Sequence, residues 1–110
     1  MAVASSSAMT LIEAVVHKLD IAHFFDVLVS AETEPFGKPH PSIFLTTAQK
    51  LHVDAHACMV FEDSLNGMIA AKAARMHCVV VPEALKLHEP YWTLANLTLP
   101  SLQQFDIKNL

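Results

Sequence analysis

The apolar run from Cys58 to Phe61 stops abruptly at two adjacent carboxylates, Glu62 and Asp63; Ser64 and Gly67 then lead into a helix-like pattern from Met68 to Arg75. No other feature constrains the fold as strongly. A short continuous apolar run is how a buried parallel strand reads, and ligands in open α/β sheets bind just beyond the carboxyl ends of the strands. Two acids side by side at such a tip repel each other and lose hydration. A hard cation such as Mg²⁺, which takes oxygen ligands, relieves both problems. Glu62 and Asp63 are therefore candidate metal ligands beside a phosphate substrate. The same residues also fit an ordinary helix N-terminus, with Asp63 or Ser64 capping and the acids favoured by the helix dipole.

The rest of the chain alternates in period. Ala2 to Ala4 is a short apolar run ending in Ser5-Ser6-Ser7. Residues 8–19 carry Met9, Ile12, Val15, Val16 and Leu19 at helical spacing, which predicts these inward. Phe24 to Ala31 reads as a strand, and a loop follows from Glu32 to Pro41. Ser42 to Leu51 reads as a helix with Ile43, Phe44, Leu45, Ala48 and Leu51 inward. Ala57 to Phe61 is a strand, Ser64 to Arg75 a helix, and His77 to Val81 a strand closed by Pro82. Glu83 to Trp92 is a polar loop, Leu97 to Leu99 a short edge strand, and Ser101 to Phe105 a helical turn. Strands alternating with helices of this length imply βαβ units, hence an α/β fold with a parallel sheet and flanking helices.

Two further motifs fall where strands end. Gly37-Lys38-Pro39-His40-Pro41 holds Lys38 on a stiff loop just before a helix. A lysine so held suits a point-charge contact to phosphate, although exposed loop lysines before a helix are common. Ser5-Ser6-Ser7 combines hydroxyls with the free N–H groups of a helix N-terminus, an anion site or an ordinary cap made by Ser7. In a parallel sheet all these strand ends lie on one edge, so hydroxyls, a lysine and an acid pair converge there.

Composition bounds the partners. Hydrophobic residues make up 53% and charged residues 16% of the 110, which fits a buried core and not a disordered chain. The net charge is −4 and the seven Lys and Arg are scattered, so there is no basic stripe for nucleic acid. No apolar run approaches the roughly 18 residues of a membrane span, and the first residues have no basic region of a secretory signal. Cys58 and Cys78 each open an apolar run, as reduced core cysteines do, which makes the cytoplasm the expected compartment. His52 and His56 flank Asp54 across a helix end, a setting for solvated histidines, with no cysteine nearby to complete a transition-metal site. His40 lines a substrate entrance or simply structures its loop. Met9, Met59, Met68 and Met76 read as core fillers. Tyr91 and Trp92 either border a further domain or pack on the sheet.

Taken together, the serine after a strand, Gly-Lys-Pro-His-Pro and Glu-Asp-Ser followed by Gly67 resemble motifs two, three and four of the haloacid dehalogenase superfamily of phosphotransferases. Lys72-Ala73-Ala74-Arg75-Met76, Val79-Val80-Val81-Pro82 and Leu94-Ala95-Asn96-Leu97 are similar to bacterial sugar-phosphate phosphatases of the β-phosphoglucomutase-like branch, including those acting on hexitol phosphates and 2-deoxyglucose 6-phosphate. The resemblance implies a Rossmann-like sheet and Mg²⁺-dependent hydrolysis of a small sugar phosphate through an aspartyl-phosphate. It implies that Ser5 bonds the transferring phosphoryl group and that Ser6 assists through its backbone N–H. Lys38 would neutralise phosphoryl charge, Asp63 would be the principal Mg²⁺ ligand, and Glu62 would ligate directly or through water.

One part of the pattern is missing. The family's nucleophile and acid/base lie in an Asp-x-Asp at the end of the first strand, and no Asp-x-Asp occurs in these 110 residues. The family's helical cap domain is absent too. The expectation is that residues 1–110 form the C-terminal portion of a core domain, inactive alone. In the family the missing strand lies between the strand ending at Ser5 and the one ending at Phe61. Its removal leaves two unpaired edges. Either they close up and pair, or the chain self-associates, or an N-terminal half complements it. A non-catalytic module that binds phosphate or metal through Ser5, Lys38 and Asp63 is the alternative. A receiver-like signalling domain needs a further aspartate on a strand after the acid pair, and none occurs between Asp63 and Asp106.

Overall fold

Every strand pairing among the described residues is parallel. The structure is a computed structural model and describes residues 1–106 and 108. Strand β1 (Ala2–Ser5) runs beside β2 (Val27–Ser30), with Ala2 opposite Val27 and Ser5 opposite Ser30. Strand β3 (Met59–Glu62) pairs with β4 (His77–Val80), and β4 with the short β5 (Leu97–Thr98). Helices α1 (Met9–Lys18), α2 (Ser42–Lys50) and α3 (Leu65–Ala73) carry the crossovers. This is the α/β arrangement that the alternating periodicity predicts.

The sheet is in two parts. β1–β2 and β3–β4–β5 form separate ladders, and among the described residues no hydrogen bonds join β1 to β3. The two edges do not close up. An open cleft of about 700 Å³ lies between them, lined by Ala2 and Ala4 on one side, Met59 and Phe61 on the other, and Phe44 and Ala48 of α2. α2 bridges the halves. It packs on β1, β2 and α3. Ile43 and Phe44 belong to one buried cluster with Val29 of β2, Val60 of β3, Met68 of α3 and Val80 of β4. β4 is the most buried strand, with Cys78, Val79 and Val80 fully enclosed, as its unbroken apolar run requires.

Several boundaries differ from the sequence expectation. Residues 22–24 form a 3₁₀ turn, Phe24 is exposed, and β2 begins only at Val27. β2 pairs with β1 from Val27 opposite Ala2, and the Asp26 N–H donates to the Met1 carbonyl at 2.7 Å. α1 buries Ile12 and Val16 but leaves Val15 and Leu19 exposed, because only one narrow stripe of this helix meets β2. Leu45 of α2 likewise faces outward. Trp92 is buried, and its Nε1 donates to the Lys86 carbonyl at 2.7 Å, so it packs into the core beside α3.

All three helices end alike, without glycine. Asp20, His52 and Arg75 adopt positive φ of 54°, 58° and 64° just past the C-caps. The N–H of each and the N–H of the residue after it return to the last turn, as His52 to Gln49 and Val53 to Ala48 do after α2. This is the paired bonding of a Schellman motif.

Candidate phosphate and metal site

The three motifs meet. Ser5, Ser6 and Ser7, Lys38, and Glu62 and Asp63 line one open cavity of about 500 Å³ at the carboxyl ends of β1 and β3. Ala4, Phe61, Ser64, Val81 and Leu102 complete its wall, and of these the motif reading gave Val81 and Leu102 no part in a site.

Ser5 closes β1, and its Oγ accepts from the Ser7 N–H at 3.1 Å, which curls the serine run into a turn. The hydroxyl proton remains available to an anion. Ser7 does not cap α1, as the sequence suggested. Ala8 occupies the N-cap position with no side-chain bond, and the Met9 N–H donates instead to Glu32 Oε2 at 3.0 Å. Ser7 is held through its carbonyl, which accepts from Ser30 Oγ at 2.7 Å. The loop after β2 thereby fixes the loop after β1.

Lys38 sits on a loop pinned to α2. Glu34 Oε1 accepts from Ser42 Oγ at 2.6 Å and from Thr46 Oγ1 at 2.7 Å. These two hydroxyls hold the Glu34 carboxyl below the usual carboxylate range. His40 Nδ1 accepts from the Ser42 N–H, and its ring lies 4.7 Å from that of Phe36, so His40 structures the loop. The Lys38–Pro39 peptide is cis. Lys38 Nζ donates to the Ala4 carbonyl at 3.2 Å and to Glu62 Oε1 at 2.5 Å, and it stands 4.9 Å from the centre of the Phe44 ring. Glu34 escaped the sequence reading because a side chain reaching from a loop onto a helix has no periodic signature.

The adjacent acids part company. Glu62 is the last residue of β3, and Asp63 lies in the bend that follows it. The Glu62 side chain is only 9% exposed and turned to Lys38, itself 11% exposed, with its other oxygen accepting from Ser64 Oγ at 3.2 Å. Asp63 is exposed and makes no ion pair among the described residues. Capping falls to Ser64, whose Oγ accepts from the Gly67 N–H at 3.0 Å. All donors offered by this pair are hard oxygens, the kind Mg²⁺ takes. Among the described residues no three His, Cys, Asp or Glu side chains converge on one point.

The cysteines stand apart from this chemistry. Both are free, and burial raises both thiols, Cys78 to about 11, which keeps them protonated and poor nucleophiles. Among the described residues no helix is long and apolar enough to cross a membrane.

The sequence matches the family model of haloacid dehalogenase-like hydrolases over residues 1–75. It is 46% identical over 107 residues to hexitol phosphatase B of Escherichia coli O157:H7, covering 97% of this chain and 48% of the relative. The chain spans about half the length of the curated relatives it matches. Its fold superposes on CbbY from Rhodobacter sphaeroides, solved in complex with phosphate, with a TM-score of 0.88 at 29% identity, covering 99% of this chain and 50% of the other. It also superposes on β-phosphoglucomutase from Clostridium difficile, with a TM-score of 0.83 at 30% identity, covering 97% and 45%.

Proposed function

This chain belongs to the haloacid dehalogenase-like hydrolases, and from that premise we propose that it is the C-terminal portion of the core domain of a Mg²⁺-dependent phosphatase acting on small sugar phosphates. One observation carries the proposal. Ser5, Ser6, Lys38, Glu62 and Asp63, drawn from separate strand ends, line a single cavity. In this reading the Ser5 hydroxyl and the Ser6 N–H bind phosphoryl oxygens, and the Lys38 ammonium neutralises their charge.

Charge balance supports the cation. Lys38 contributes one positive charge and Glu62 and Asp63 two negative ones, so a phosphate dianion entering alone meets net repulsion. A divalent cation held by Asp63, with Glu62 beside it, reverses that. When bound, Mg²⁺ would stabilise negative charge on the phosphoryl oxygens. The hexitol phosphatase relative supports a phosphorylated sugar as the substrate class.

The nucleophile must come from elsewhere. With no Asp-x-Asp in these 110 residues, an aspartyl-phosphate requires a carboxylate from outside them. The cleft between β1 and β3, bounded by two unpaired parallel edges, suits an extended strand that ends beside Lys38 and Asp63. The same cleft favours a second reading, a phosphate-binding module that self-associates through its open edges. One experiment separates the two. The 110-residue chain alone should not turn over p-nitrophenyl phosphate. Supplying a segment with an apolar strand ending in Asp-x-Asp should restore Mg²⁺-dependent turnover, lost again in Asp63→Asn. A chain that dimerises and gains no activity from the segment supports the binding module instead.

A further inference from the structure

Gly67 has no conformational reason to be glycine. It lies buried in the first turn of α3, its φ is not positive, and alanine is the better helix former there. What glycine provides is space. A Cβ at this position would overlap the carboxyl group of Glu62. That carboxyl group seats against α3 with Oε2 3.2 Å from Ser64 Oγ and Oε1 2.5 Å from Lys38 Nζ. The lysine ammonium has three N–H donors, of which the Ala4 carbonyl and Glu62 take two.

We propose that Gly67 is a positioning residue for Lys38, acting through Glu62. The absent Cβ lets the carboxylate seat, and the carboxylate together with the Ala4 carbonyl leaves one ammonium N–H for an anion oxygen in the cavity. A methyl group at residue 67 pushes the flexible end of Glu62 aside and frees Lys38 to swing, while the helix itself loses nothing. The proposal rests on the reading of this cavity as a phosphate site.

The test uses inorganic phosphate as the probe, titrated by NMR in the presence of Mg²⁺ into the 110-residue chain and into Gly67→Ala, Lys38→Ala and the double variant. Gly67→Ala should melt no lower than the parent yet bind phosphate roughly tenfold more weakly, the scale of one charge-assisted hydrogen bond. In the Lys38→Ala background the same substitution should change nothing, because its effect passes through that lysine. Gly67→Ser is a second probe of the same space and should behave alike. The proposal is overturned if Lys38→Ala weakens binding while Gly67→Ala and Gly67→Ser do not. It is also overturned if Gly67→Ala costs as much without the lysine as with it. If Lys38→Ala leaves phosphate binding unchanged, the phosphate reading of the cavity fails, and this proposal fails with it.

Discussion

The Met9 N–H donates to Glu32 Oε2 across 3.0 Å, so a carboxylate from the loop after β2 caps the helix that follows β1. With Ser30 Oγ on the Ser7 carbonyl, it ties together the carboxyl ends of two parallel strands. The serine run is held in place from outside its own segment.

Glu32→Ala should therefore lower stability by about 1 kcal/mol, the usual cost of a lost cap, or about 5 °C in Tm for a domain of this size. Thermal denaturation followed by circular dichroism reads this. Glu32→Gln, which keeps an acceptor oxygen, should lose less.

Glu34 makes the Lys38 loop sensitive to acid. Hydrogen bonds from Ser42 and Thr46 lower its pKa from 4.5. A depressed carboxylate contributes stability in full above its unfolded pKa and loses it as pH falls through the folded one. Urea melts of the parent and Glu34→Gln should differ most above pH 4.5 and converge as pH drops below it. A gap that widens on acidification would contradict this.

His52 adopts φ 58° at the end of α2, a conformation that costs an L-residue more than glycine. His52→Gly should stabilise the chain by about 0.5 kcal/mol, the left-handed penalty less the greater chain entropy of glycine. Equilibrium urea unfolding measures it, and a loss of stability would show that the imidazole makes an interaction worth more than that penalty.

The parts of this fold that the sequence makes legible are those written in periodicity or in a motif. The burial of β4 follows from an unbroken apolar run, and the convergence of Ser5, Lys38 and Asp63 follows from parallel strand order. Legibility fails where one segment decides the fate of another. Phe24 lies in a 3₁₀ turn ahead of β2 rather than in the strand its apolar run suggests. Ser7 loses its capping role to Glu32, a residue 25 positions further along. Glu62 and Asp63 look equivalent as a dipeptide, and the Lys38 ammonium and the space above Gly67 are what separate them.

Two carboxylates supply only part of the octahedral oxygen set that Mg²⁺ requires. Isothermal calorimetry on this chain should give a Kd in the millimolar range, about 4 kcal/mol, and Asp63→Asn should abolish it. Micromolar affinity would mean that the chain supplies further ligands.

The convergence of the three motifs is tested most directly by an NMR titration of this chain with inorganic phosphate in the presence of Mg²⁺. The account predicts that amide shifts concentrate at Ser5, Ser6, Lys38, Asp63 and Ser64, and that Lys38→Ala removes them. Shifts that avoid this cavity and gather elsewhere, at the exposed histidines His52 and His56 for example, would contradict it.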